Sequence, residues 1–171
     1  MAGLFETHDK SRFETTAISF GPDSKDDMRT RLENSFDHFI DVRSKSDRDV
    51  ALLLKELEID IALDLKGHTE RGRAGILAFR AAPIQVNFLG FPGTMGADYI
   101  DYILADRFVI PKDGHSFYTE KVAYLPDTYQ PNDSRRLVSE HTPTRAEAGL
   151  PETGFVVCSV QQQLQDHTAS V

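Results

Sequence analysis

The feature that most limits this chain is its hydrophobic period. Segments patterned like strands alternate with segments whose apolar residues recur every three or four positions. "FETTAISFG" (13–21) is rich in β-branched and aromatic residues and predicts a strand. In "SKDDMRTRLENSF" (24–36), Met28, Leu32 and Phe36 stand four apart as a helical stripe. Asp26 and Asp27 lie at its start, where the helix dipole favours negative charge. "DHFIDV" (37–42) predicts a further strand. "KSDRDVALLLKELEID" (45–60) is the clearest helix, with Ser46 and Asp49 as a capping-box-like pair. Its expected buried face is Val50, Leu53, Leu54 and Leu57. Strands are then expected at 59–65, 84–90, 101–106, 120–126 and 154–160. A short helix at 73–83 should stop before Pro83, and one or two helical turns are expected at 144–151. Such alternation implies right-handed β-α-β units and an α/β fold, with a mostly parallel sheet covered by helices on both faces. Ligands bind beyond the carboxyl ends of the strands in sheets of this kind.

Composition narrows the class of function. With 40% hydrophobic and 27% charged residues the chain reads as globular. A net charge of -8, from 27 acidic against 19 basic residues, disfavours a nucleic-acid or membrane-surface partner. No apolar stretch approaches the roughly 18 residues that span a bilayer, and "MAGLFETHDK" lacks the basic-then-apolar pattern of a secretory signal. Cys158 stands alone, which fits a reducing cytoplasm. His8, His38, His68, His115, His141 and His167 are scattered without metal-ligand spacing, so no metal site is expected.

The candidate chemistry gathers after the strand at 84–90. There Gly90, Phe91, Pro92, Gly93, Thr94, Met95 and Gly96 separate two apolar runs. The loop lacks both the Gly-Lys-Ser/Thr ending of a phosphate loop and the spacing of a dinucleotide fingerprint. Two readings stand: a tight turn, or a main-chain surface that lies against a ligand. Asp60 and Asp64, four apart on one strand face, could imitate a metal pair, but strand-end carboxylates more often bond nearby backbone. His68, just past a strand end, could face a ligand, although a lone loop histidine is usually solvated. Arg71, Arg73 and Arg80 could hold phosphate, or simply decorate a surface. Asp98, Asp101 and Asp106 suit capping and turn hydrogen bonds. No serine lies in a Gly-x-Ser-x-Gly setting, so an acyl-transfer nucleophile is unsupported.

Two phrases are more specific: Arg80 to Gly96, "RAAPIQVNFLGFPGTMG", and Tyr118 to Pro126, "YTEKVAYLP". With their surroundings from about Phe13 to Cys158, the chain resembles the catalytic region of the O-linked N-acetylglucosamine transferase family, SPINDLY-type proteins included. The resemblance implies a GT-B glycosyltransferase with two Rossmann-like halves, transferring N-acetylglucosamine from UDP-GlcNAc to Ser or Thr hydroxyls of proteins without a metal or other cofactor. It places the donor sugar and phosphates against Leu89, Gly90, Phe91, Pro92, Gly93 and Thr94, with His68 as a site-facing candidate. A GDP-fucose donor is the alternative within the family, and a non-catalytic scaffold remnant or pseudogene product is the alternative outside it.

The resemblance also implies domain limits. Residues 1–126 would form the first Rossmann-like half without its first strand, 127–150 a connection, and 151–171 the start of the nucleotide-binding half. Family members carry tetratricopeptide repeats and an Asp-Phe-x-x-His-Pro-like segment, with the active-site histidine, ahead of the matched region. Without these the isolated chain is expected to be inactive. After "FVVC" the family continues into Asn-Asn-x-Tyr-Lys, whereas this chain reads "SVQQQLQDHTASV". The codons GTT CAA CAA CAA CTA CAA GAT CAC would encode Val160 to His167, and without the first G they read Phe-Asn-Asn-Asn-Tyr-Lys-Ile. Residues 160–171 are therefore expected to be frameshifted, with Gln165 at the lysine position. Sequencing the gene tests this: codons for Gln161 to Gln163 that cannot yield Asn in the shifted frame rule it out.

Overall fold

The computed structural model describes residues 1–136 and 139–157. The expected frameshifted tail at 160–171 lies outside them. Two compact units are present, Met1–Arg135 and Arg136–Val171.

The first unit follows the alternation predicted from the sequence. Its strands are β1 (Thr16–Ser19), β2 (His38–Asp41), β3 (Ile61–Asp64), β4 (Ile84–Asn87), β5 (Tyr102–Ala105) and β6 (Lys121–Tyr124). Its α-helices are α1 (Ala2–Glu6), α2 (Asp27–Glu33) and α3 (Asp47–Glu56). The segment expected as a short helix before Pro83 is a 3-10 helix, Ala74–Phe79, and a second one spans Lys112–Phe117. Every strand pairing is parallel. The pairs form two ladders, β1-β2 and β3-β4-β5-β6, with no hydrogen-bonded pairing between them among the described residues. One core joins the ladders: Ile18, Phe20 and Ile40 pack with Val50, Leu54, Ala62 and Ile76. A smaller cluster of Ile103, Ala105 and Ile110 lies around β5.

Helix ends follow the sequence closely. Ser46 Oγ accepts the Asp49 N–H at 3.1 Å and donates to Asp49 Oδ2 at 2.7 Å, a reciprocal cap worth about 1 kcal/mol. Asp26 caps α2 by accepting the Arg29 N–H at 2.7 Å. The buried faces follow it less well. On α3, Val50, Ala51 and Leu54 are buried while Leu57 is exposed, because the helix ends at Glu56 and Leu57 is already its C-cap. In α2 no residue is buried, and Met28 is 51% exposed. Phe36 instead stacks on Phe5 of α1, with ring centroids 4.6 Å apart. The turns at 144–151 close without a regular helix, through Ala148 N–H to the Thr144 carbonyl and Leu150 N–H to the Arg145 carbonyl. Residues 154–157 carry no strand, and Phe155 and Val157 are exposed, since no strand pairs with them among the described residues. The rest of the strand expected at 154–160 lies outside the described residues.

Register decides which side chains share a face. In parallel pairing Ala62 and Asp64 sit beside Gln85 and Asn87, with Ile103 next to Asn87. Gln85 and Asn87 are buried on this face. The other face of β3 carries Ile61 and Leu63, both about half exposed. Gln85, with 0% exposure, spends its whole amide on backbone. Its Oε1 accepts the Ala81 N–H at 2.8 Å, and its Nε2 donates to the Leu77 carbonyl at 2.9 Å and the Tyr99 carbonyl at 2.6 Å. One side chain thus ties the 3-10 helix and the approach to β5 onto β4. Gln85→Leu is expected to strand these three groups and cost about 2–4 kcal/mol, read as a lower urea midpoint with an unchanged slope.

Candidate functional site

Because β3 to β6 all run parallel, the segments that follow them emerge at one edge of the sheet. The segment after β3 opens with Asp64, whose Oδ1 accepts the N–H groups of Lys66 and Gly67 at 2.9 and 3.1 Å. Asp64 therefore spends an oxygen on a turn, and among the described residues no group of three or more His, Cys, Asp and Glu converges as metal ligands would. The segment after β4 is the glycine loop. The segment after β5 carries Asp106, and that after β6 leads to Tyr129.

The glycine loop is held by its carbonyls. Tyr129 donates its hydroxyl to the Leu89 carbonyl at 2.8 Å, and Tyr118 donates to the Pro92 carbonyl at 2.8 Å. His68 Nε2 donates to the Met95 carbonyl at 3.0 Å. Below the loop, the buried carboxylate of Glu120 accepts the Met95 N–H at 2.6 Å and the Thr94 hydroxyl at 2.7 Å. Thr94 Oγ1 in turn accepts the Gly96 N–H at 3.0 Å. The N–H groups of Gly90, Phe91, Gly93 and Thr94 donate no hydrogen bond within the described residues. Phe91 is 68% exposed, and Gly90 is exposed beside it.

Two backbone features fix this shape. Leu89, Gly90 and Gly96 have positive φ, at 65°, 43° and 61°. Glycine takes that conformation freely, whereas for a leucine it costs about 1–2 kcal/mol. A Cβ on Gly90 would also lie 2.5 Å from the Lys66 carbonyl oxygen, so the loops after β3 and β4 touch main chain to main chain. Beside Gly93 and Thr94 an apolar depression of about 330 Å³ is lined by Ile110, Pro111, Phe117 and Tyr118.

The remaining candidates are placed as follows. Arg73 is consumed by Asp47 and the carbonyls of Val42 and Lys45. Arg80 bonds Asp101 and the carbonyls of Tyr99 and Pro83. Arg71 is exposed beside Glu70. Asp101 accepts the Gln85 N–H at 2.8 Å. Asp106 is buried and accepts the N–H groups of Phe108, Val109 and Tyr129. The N–H of Val109, then that of Tyr129, hold its carboxyl below the usual aspartate range. Sequence reasoning left out Tyr118, Glu120 and Tyr129. The first two lie inside the motif "YTEKVAYLP", which is the signal that was there to be used. Tyr129 stands forty residues from its partner Leu89, with no local pattern to mark it.

Removing the carboxylate tests the support under the loop. Glu120→Ala leaves the buried Met95 N–H without its acceptor. It is expected to cost about 1–3 kcal/mol and to speed hydrogen exchange at Met95 and Gly96 while exchange in α3 follows only the global change.

Three comparisons bear on this geometry. Residues 1–148 match the family model described as glycosyl transferase family 41. The chain is 34% identical over 167 residues to a protein of Arabidopsis thaliana, the probable UDP-N-acetylglucosamine--peptide N-acetylglucosaminyltransferase SEC, covering 95% of this chain and 17% of that protein. It is 33% identical over 136 residues to the corresponding transferase of Caenorhabditis elegans, covering 79% of this chain and 12% of that one. Among solved structures, the K341M mutant of the Thermobaculum terrenum O-GlcNAc transferase superposes with a TM-score of 0.73 at 30% identity, over 78% of this chain and 26% of its own. The chain thus spans less than a fifth of the length of these two curated relatives. By its fold and by the family match over most of its length, it belongs to glycosyl transferase family 41.

Proposed function

We propose that this chain is part of the catalytic region of a protein O-GlcNAc transferase, and that Leu89 to Thr94 form one wall of the site for the UDP-GlcNAc donor. The observation that carries the reading is the state of the loop's backbone. Four N–H groups, those of Gly90, Phe91, Gly93 and Thr94, lack hydrogen-bond partners within the described residues, in a loop whose Leu89 and Pro92 carbonyls are held by Tyr129 and Tyr118. Donors fixed in advance at the carboxyl edge of a parallel sheet suit the oxygens of a sugar diphosphate, and they need no reorganisation when charge develops. The names of the Arabidopsis and Caenorhabditis relatives, both UDP-N-acetylglucosamine--peptide transferases, support this donor and a peptide acceptor.

In the proposed reaction the acceptor Ser or Thr oxygen bonds the anomeric carbon as that carbon's bond to the diphosphate oxygen breaks. UDP leaves with the electron pair, and the hydroxyl proton passes to a base. Main-chain dipoles answer the charge gathering on the diphosphate, without a metal. His68 takes a supporting part by holding the Met95 carbonyl. The lone Cys158 supports a cytoplasmic setting.

Nuclear magnetic resonance titration of the labelled chain tests the donor wall. UDP-GlcNAc is expected to shift the amides of Gly90, Phe91, Gly93 and Thr94 saturably, with GDP-fucose acting more weakly. Saturable shifts confined to other parts of the sheet would sink the reading, and a stronger response to GDP-fucose would reassign the donor.

A further inference from the structure

We propose that Tyr129 and Tyr118 are positioning residues for the donor wall: by clamping the Leu89 and Pro92 carbonyls they turn the Gly90 and Gly93 N–H groups towards the ligand. This inference rests on the donor reading given above and adds the residues that make the wall directional.

The geometry follows from the planarity of the peptide unit. In a trans peptide the carbonyl and the following N–H point in opposite directions, and the described residues contain no cis peptide. The Leu89 carbonyl is drawn to the Tyr129 hydroxyl at 2.8 Å, so the Gly90 N–H must point away from Tyr129. The Pro92 carbonyl is drawn to the Tyr118 hydroxyl at 2.8 Å, so the Gly93 N–H must point away from Tyr118. Both of these N–H groups are unpaired within the described residues. Without the clamps the two peptide units that follow Leu89 and Pro92 would lose the partners that fix their direction, and the flanking glycines would let them turn.

The clamps are themselves built in. The Tyr129 ring meets Phe88 edge to face, with centroids 5.8 Å apart, and Asp106 Oδ2 accepts the Tyr129 N–H at 2.7 Å. Burial raises the Tyr129 hydroxyl above the ordinary tyrosine value, so it stays protonated and able to donate. Tyr118 lies two residues before Glu120, so one short segment supplies both the Pro92 clamp and the carboxylate under Met95. Leu89, at φ 65°, is the residue on which the clamp acts, and its conformation persists because the surroundings impose it.

The test uses the full chain, with residual dipolar couplings of the Gly90 and Gly93 N–H vectors and titration with UDP-GlcNAc as two independent readouts. Tyr129→Phe removes one hydroxyl and keeps the ring. It is expected to change the Gly90 coupling and weaken UDP-GlcNAc binding about 5- to 10-fold, the loss of one oriented hydrogen bond. Tyr118→Phe should act likewise through Gly93, and it carries the same test should Tyr129→Phe fail to fold. Tyr102→Phe, at the amino end of β5, is the control and should alter neither readout. Unchanged couplings in both tyrosine variants, Tyr129→Phe and Tyr118→Phe, overturn the clamp. Altered couplings with affinity within twofold of wild type overturn the ligand role of these amides while leaving the donor wall standing on its other contacts. A wild-type chain that binds no UDP-GlcNAc overturns the donor reading itself, and with it the ligand part of this inference.

Discussion

Parallel pairing is the constraint on which the rest depends. Strands β3 to β6 run in one direction, so the segments leaving them share an edge, and residues distant in sequence meet there. Lys66 touches Gly90, Asp106 holds Tyr129, and Tyr129 reaches Leu89 because four strand ends are stacked side by side. An antiparallel arrangement of the same segments would put alternate loops at opposite ends and divide the site.

The edge is organised by exchanging side-chain for main-chain hydrogen bonding. A loop of glycines has too little side chain to pack itself, and its backbone groups need partners wherever they are covered. Here the partners come from outside the loop: tyrosine hydroxyls and a histidine on the carbonyls, and the buried Glu120 carboxylate on one N–H and one hydroxyl. Buried Gln85 plays the equivalent part at the other end of β4, fixing the strand to the 3-10 helix before it. The segment before β4 and the loop after it are therefore both held by polar side chains. Two of the three arginines that looked suited to phosphate, Arg73 and Arg80, are drawn into this scaffolding by neighbouring carbonyls and carboxylates, while Arg71 stays exposed.

Much of this was legible in the sequence, and the limits are instructive. The order of the six strands of the first unit and of α2 and α3 was readable because apolar period is a local property, whereas α1 and the 3-10 helix Lys112–Phe117 were not expected. The Ser46 cap was readable because capping is decided within four residues. The buried face of α3 was half right: Val50 and Leu54 are core, but Leu57 lies past the last turn, a boundary that hydrophobicity alone does not mark. Met28, the first residue of the apolar stripe, lies exposed, whereas Phe36, past the end of α2, meets Phe5 of α1. The strand expected from 154 failed over its described part for want of a partner, since β-branched residues become a strand only when a second strand is there to pair with.

By itself, then, the sequence determined a parallel α/β scaffold and a glycine loop following its fourth strand, because both are written in spacing and residue type over short windows. Only the tertiary structure decided which side chains hold that loop and which of its backbone donors find no partner among the described residues. Tyr118, Glu120 and Tyr129 lie between 25 and 40 residues from their partners, and no local period records a contact made across that distance. The direction of a peptide N–H is set by what grips the carbonyl before it, and that grip exists only once the strands are side by side.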